Sequence, residues 1–165
     1  MKTSQASILK IMMAPTHLVF GVTTAFGLSH LGLLEASVPV FAAASLGSLL
    51  PDIDHPGSVV GRRLWLVSIP VSMIFGHRGI THSLIAVVAM SAAIAWQIGA
   101  QSWIVALAIG YLTHLIGDWL TPSGVPFLWP NRRKFSSPIG FKTNSMAEMV
   151  CLVAMIAADA YGLRS

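Results

Sequence analysis

Histidines and carboxylates carry most of the chemistry open to this chain. The histidines are His17, His30, His55, His77, His82 and His114, and Asp52, Asp54 and Asp118 accompany them most closely. His114 and Asp118 stand four residues apart in the run THLIGDW. On a helix that spacing places both on one face, with Cβ atoms about 6 Å apart, so the pair can bind one cation. The plainer alternative is a His–Asp hydrogen bond that ties two helices together. Asp52-Ile-Asp54-His55, bracketed by Pro51 and Pro56, offers three ligands in a short run. In an extended segment residues i and i+2 point the same way, so the two carboxylates can converge on a cation. The alternative is a solvated turn with Asx capping. His77 and His82, in GHRGITHS, are five apart, which a continuous helix would turn to different faces. A turn at Gly79, with Thr81 capping the next helix, brings both rings inward. His17 joins this set only if the fold carries it to the same place. His30 lies thirteen residues further on, about 20 Å by helix rise, and reads as structural or interfacial.

The elements that must position these groups are apolar. Of 165 residues, 55% are hydrophobic and only 10% charged, with a mean hydropathy of +0.73. Soluble domains carry about 25% charge. This composition excludes a disordered chain, a coiled coil and an ordinary cytosolic enzyme, and the length fits a single domain, 1–165. The lone Cys151 excludes an internal disulfide and a cysteine-based zinc site. Six apolar stretches stand out, at 15–34, 36–50, 64–76, 82–99, 102–120 and 145–163. Four are about 18–20 residues long, enough to cross a hydrocarbon core of about 30 Å. The stretch 64–76 is short and holds Pro70, which suits a re-entrant or interfacial piece. Strand alternation is absent, so a β-barrel is not expected. The long loop 121–144 ends at Ser145-Met-Ala-Glu148, a capping box for the last helix.

Topology decides whether the polar groups can meet. If all six stretches cross, the candidate ligands are divided between the two faces. If only 64–76 fails to cross, every candidate ligand lies at one face. The charges select the same arrangement: Lys2, Lys10, Arg62, Arg63, Arg78, Arg132, Arg133, Lys134 and Lys142 fall on that side, and Arg164 opposite. The positive-inside rule makes that face cytoplasmic. The expected fold is therefore an all-α polytopic membrane helix bundle, with about five transmembrane helices and one short re-entrant or interfacial helix.

With these motifs in place, the chain resembles a bacterial inner-membrane family described as LexA-regulated, membrane-bound metal-dependent hydrolases (YdjM-like). The resemblance runs through Thr16-His17, LLPDIDHP at 49–56, GHRGITHS at 76–83, HLIGDWLTPSGVPFLWP at 114–130, and the basic stretch leading to Ser145 and Glu148. It implies a multi-pass protein of the bacterial inner membrane with metal-dependent hydrolytic activity. A fainter similarity is to zinc-dependent phospholipase C and P1-type nucleases, whose His-x-x-x-Asp pair would be His114 and Asp118 here.

The expected metal ligands are His17, Asp52, Asp54, His55, His77, His82, His114 and Asp118. Mixed imidazole and carboxylate donors suit Zn²⁺, Mn²⁺ or Fe²⁺ better than Ca²⁺, and the number of donors suffices for one or two ions. The expected reaction is hydrolysis of a phosphoester in a lipid or another anionic substrate. Arg78 would neutralise developing charge and Asp54 would take a catalytic part. Arg132, Arg133 and Lys134 would meet an anionic headgroup. Membrane lipids are the expected partners, and nucleic acid is not. A metal or proton transporter would need polar groups through the whole membrane depth, whereas the far halves of these helices carry few. A non-catalytic scaffold stapled by a metal uses the same residue types.

Overall fold

The computed structural model describes residues 2–140 and 145–162, with side chains from Ala14 onward. Lys142 and Arg164, two of the charges counted above, lie outside the described residues. Seven α-helices make up the described chain: α1 (Lys2–His30), α2 (Val38–Gly47), α3 (Val59–Arg63), α4 (Trp65–Phe75), α5 (Leu84–Ile98), α6 (Ser102–Trp119) and α7 (Met146–Gly162). Among the described residues the single β feature is an antiparallel pairing of Val125 with Phe135. The helical class expected from the sequence is the class observed.

The segment between α2 and α4 holds two short structured pieces. Leu50–Asp54 forms a 3₁₀ turn and Val59–Arg63 the short helix α3. Pro51 enters the turn where its missing N–H costs nothing. Ser58 caps α3, accepting from the Gly61 N–H at 2.8 Å and donating to the Asp52 carbonyl at 2.8 Å. Further along, Ser83 rather than Thr81 caps α5, accepting from the Ala86 N–H at 3.3 Å. A second 3₁₀ turn, Ile80–His82, moves the helix start beyond Thr81 and frees that hydroxyl for other work.

The core sits where α2 meets α6 and α1. Ala25, Val40, Ala43, Ala44, Ala106 and Leu107 are buried together there. Small residues set the spacing. A Cβ at Gly110 would lie 2.0 Å from the Ala44 carbonyl oxygen, and one at Gly47 would lie 2.1 Å from that of Leu107. The two helices therefore cross with their backbones in contact. The buried stripe of α6 runs through Ile104, Leu107, Tyr111, His114 and Asp118, recurring at the three- and four-residue spacing of one helical face. It is apolar at one end and ionisable at the other. That change along a single face delivers the polar residues to one end of the bundle.

The outer faces are apolar. On α4, Leu66, Met73 and Ile74 are exposed, on α5 Ile85, Val88 and Trp96, and α7 has no buried residue. Hydroxyl–carboxylate hydrogen bonds fasten α7 to α1: Thr16 to Glu148 at 2.8 Å and Thr23 to Asp159 at 2.7 Å. Ser145 caps α7 through the Glu148 N–H at 3.3 Å, the first of the two bonds of a capping box.

Among the described residues no helix is long and apolar enough to cross a membrane. Helices α2, α4, α5 and α7 have 10, 11, 15 and 17 residues, below the ~20 needed. Helix α6 has 18 but carries His114 and Asp118 in its last turns. Helix α1, with 29 residues, is the one described helix longer than that, so the five crossings expected above rest on the sequence pattern. Helix α4 spans about 16 Å and packs against the first 3₁₀ turn and α3. Close to its start, the Ser68 hydroxyl packs against Gly61 of α3. Just past its end, His77 reaches Asp54.

Candidate metal centre

Four separate segments supply the polar cluster. His17 comes from α1, Asp52 and Asp54 from the first 3₁₀ turn, His77, Arg78 and His82 from the α4–α5 connection, and His114 and Asp118 from α6. In the connection positive φ falls on Gly76 (φ 73°) and on Arg78 (φ 59°), and not on Gly79. Gly79 serves a different need, because a Cβ there would lie 2.2 Å from the Phe75 carbonyl oxygen. Gly117 makes room for His17 in the same way: its Cβ would come 2.7 Å from the imidazole Cε1.

Asp118 is the hub. Its Oδ2 lies 3.3 Å from His82 Nε2 and 3.6 Å from His114 Nε2, and its Oδ1 lies 3.7 Å from His17 Nε2. His17 stacks on His114 with ring centroids 4.0 Å apart. Asp52 approaches from the rim, its Oδ1 3.9 Å from His114 Nε2. Two triads thus bring one donor atom each within 4.8 Å of one another: His17–His114–Asp118 and Asp52–His82–His114.

The tautomers follow from the partners. His114 Nδ1 lies 2.7 Å from the Ser48 carbonyl oxygen, which can only accept, so Nδ1 carries the proton. His82 Nδ1 lies 3.0 Å from Asp54 Oδ2, and the same reasoning applies. Both rings then turn Nε2 lone pairs toward Asp118. These two nitrogens are buried and make no hydrogen bond. Acceptor faces acceptor, an arrangement that a proton or a metal ion must resolve. Tetrahedral ligation at 2.0–2.1 Å separates donor atoms by about 3.4 Å, and the spacings here bracket that figure. The donor set fits a divalent cation of the zinc, manganese or iron kind. Because His114 Nδ1 is already engaged, both triads share the one remaining nitrogen, so they describe a single cation site.

Asp54 behaves differently from Asp52. In the 3₁₀ turn the two carboxylates leave on different faces, not on one as an extended segment would have them. Asp54 is fully buried. Its Oδ1 accepts from His77 Nδ1 at 2.9 Å, and its Oδ2 accepts from the Arg78 N–H at 3.0 Å, from His82 Nδ1 and from the Thr81 hydroxyl. Burial alone would raise the Asp54 pKa. The hydrogen bonds from His77, His82 and Thr81 outweigh it and hold the carboxyl well below the usual carboxylate range.

Arg78 is largely buried. It donates to Asp118 Oδ1 at 2.8 Å and to the Gly124 carbonyl at 3.2 Å. The second contact ties the long loop to the centre, and the Val125–Phe135 pairing and the Ser137 N–H to Trp119 carbonyl bond (2.9 Å) stiffen that loop. A cavity of about 130 Å³ opens beside the cluster, lined among others by His17, Asp52, His55, His77, Arg78 and Asp118. His55 and His77 face each other in it, with centroids 4.8 Å apart.

Most of the residues singled out from sequence therefore converge, and a few stand apart. Arg132, Arg133 and Lys134 are exposed in the long loop and do not line the cavity. His30 stacks on Phe26 at the C-terminal end of α1, beyond the cluster. Sequence reasoning missed Thr81 as a partner of Asp54, the Ser48 carbonyl as the partner of His114, and Tyr111, whose hydroxyl donates to the Thr81 carbonyl at 2.5 Å. Tyr111 was open to detection, since it lies three residues before His114 on the buried stripe. The carbonyl of Ser48 leaves no mark in side-chain chemistry.

Fold and site together define a small all-helical protein with apolar outer faces and a buried histidine–carboxylate centre at one end. The chain belongs to the YdjM inner membrane protein family, whose model matches residues 12–164. It is 38% identical over 158 residues to the inner membrane protein YdjM of Escherichia coli (strain K12), covering 88% of this chain and 80% of that one. The YdjM protein of Shigella flexneri matches to the same extent. The protein YvsG of Bacillus subtilis (strain 168) is 33% identical over 152 residues, covering 91% and 93%. No solved structure matches the chain. Membership places the protein among those of the bacterial inner membrane.

Proposed function

We propose that this protein is a multi-pass, membrane-bound hydrolase that uses one divalent cation to cleave a phosphoester in a lipid or other anionic substrate at the cytoplasmic face. The observation that carries the reading is the pair of unpartnered Nε2 atoms of His82 and His114, turned toward Asp118 beside an open cavity. Structural metal sites are closed, and catalytic ones keep a position for water or substrate. Here His17, Asp52 and Asp118 belong both to the donor set and to the cavity wall, which favours the open kind over a metal-stapled scaffold. When bound, the cation would supply Lewis acidity, polarising a phosphoryl oxygen and acidifying water. His17, His82, His114 and Asp118 would hold it, with Asp52 at the rim. Arg78 holds Asp118 in position and presents positive charge to the cavity, where a phosphoryl group would sit.

The test is metal content of the purified protein followed by a phosphoester and phospholipid hydrolysis screen, with and without chelator. Expected are about one equivalent of zinc, manganese or iron and a chelator-sensitive turnover that His30→Ala leaves intact. Metal flux into vesicles without hydrolysis would establish a transporter instead, and bound metal with neither would establish a scaffold.

The exposed apolar faces of α4, α5 and α7 support a seat in the bilayer, and the basic residues flanking α4 support an interfacial position for it. In a Cys151→Ser background, single cysteines at the exposed positions Arg63, just before α4, and Phe75, its last residue, are expected to label from the same side of the membrane. Labelling from opposite sides would overturn the five-pass topology.

A further inference from the structure

We infer that Asp54 is a positioning residue and not a metal ligand: it fixes two imidazoles in the Nδ1–H form, assigning His82 to the cation and His77 to the cavity. The inference rests on the metal centre proposed above and divides its histidines between two tasks.

The accounting of acceptor sites argues against ligation. An ionised carboxylate offers about four lone-pair sites. Asp54 receives four donors, namely His77 Nδ1, His82 Nδ1, the Arg78 N–H and the Thr81 hydroxyl. Asp54 is absent from both donor triads, although Asp52, two residues away, belongs to one of them. Thr81 is itself held from behind by the Tyr111 hydroxyl, so the carboxylate sits in a braced socket.

The two rings on Asp54 differ in what they face. The His82 side chain is fully buried, and its Nε2 meets Asp118 Oδ2 at 3.3 Å. The His77 side chain is 46% exposed, lines the cavity and joins neither triad. With the proton kept on Nδ1, the opposite edge of His77 presents a lone pair to the cavity, where it can accept a hydrogen bond from water or a substrate hydroxyl. One carboxylate thereby sets the tautomer and orientation of a ligand and of a substrate-facing group, the part that outer carboxylates play around metal-bound histidines.

Isotope-edited NMR of the histidine ring nitrogens tests this in the full-length protein, above the pH at which the imidazoles are neutral. Metal-free wild type should show His77, His82 and His114 all as Nδ1–H. An Nε2–H signal at His77 or His82 would overturn the proposal, and this arm needs no variant to fold. With cadmium as the probe, Nε2 of His82 should couple to the metal and that of His77 should not; coupling at His77 would also overturn it. Asp54→Asn should mix the tautomers of His77 and His82, leave that of His114 unchanged because Ser48 holds it, and lower zinc affinity about 10–100-fold. Complete loss of zinc, equal to that of Asp118→Asn, with His77 and His82 tautomers unaltered would make Asp54 a ligand. If wild type binds no cation, the proposed function fails, while the tautomers of the metal-free protein still decide the role of Asp54.

Discussion

Asp118→Ala is expected to abolish cation binding and to destabilise the fold together. The carboxylate lies within 3.3–3.7 Å of three imidazole nitrogens and accepts from Arg78 at 2.8 Å. Removing it takes away the one group common to all of those contacts, so metal should fall to background in the purified variant. It also strands the Arg78 guanidinium, whose side chain is only 9% exposed. Breaking a buried ion pair by removing one partner costs about 3–5 kcal/mol. The denaturation midpoint should drop accordingly, measured in the absence of metal so that linkage to the ion does not contribute. Asp118→Asn separates the two effects. It keeps an oxygen for Arg78 and nearly the same volume, so more of the stability should survive while metal binding is lost. A variant that kept full metal content would remove Asp118 from the centre.

Gly110→Ala is expected to be nearly as damaging, although it adds only one methyl group far from any charge. The added Cβ would lie 2.0 Å from the Ala44 carbonyl oxygen and 2.8 Å from its carbon. Both are backbone atoms of α2 and cannot rotate aside. Overpacking costs about 1–3 kcal/mol where side chains can yield, and more is expected where two helix backbones must separate. The damage should also reach the site, because Ser48, one residue beyond α2, holds His114 Nδ1 at 2.7 Å. Both the denaturation midpoint and the metal affinity should fall. Gly27→Ala supplies the control: its Cβ meets nothing within 4 Å, and the position lies inside α1. There alanine should gain about 0.5–1 kcal/mol through lower backbone entropy. Equal behaviour of the two variants would show that close α2–α6 approach is not what Gly110 provides.

Much of the site is legible in the order of the residues. The convergence of His17, Asp52, His77, His82, His114 and Asp118 is expected from two patterns along the chain, the placement of apolar stretches and the distribution of ten basic residues. Ionisable groups are costly in apolar surroundings and gather where they can satisfy one another, so their clustering in so apolar a chain is informative. The helical pairing of His114 with Asp118 is legible for the same local reason, since i and i+4 share a face on any α-helix.

The division of labour is not legible there. Asp52 and Asp54 look equivalent in sequence, and the 3₁₀ turn separates them, one toward His114 and the other into a socket built by residues 23–28 positions away. Thr81 looks like a helix cap, yet the second 3₁₀ turn passes that task to Ser83. The tautomer of His114 depends on a carbonyl 66 residues distant. The sequence by itself determined the helical class, the family and most of the ionisable side chains that meet, because residue type, hydropathy and short-range spacing act locally. Only the tertiary structure decided which nitrogen of each imidazole faces the centre and which carboxylate supports instead of binding, because a hydrogen bond's direction depends on the path of backbone segments that no local pattern specifies.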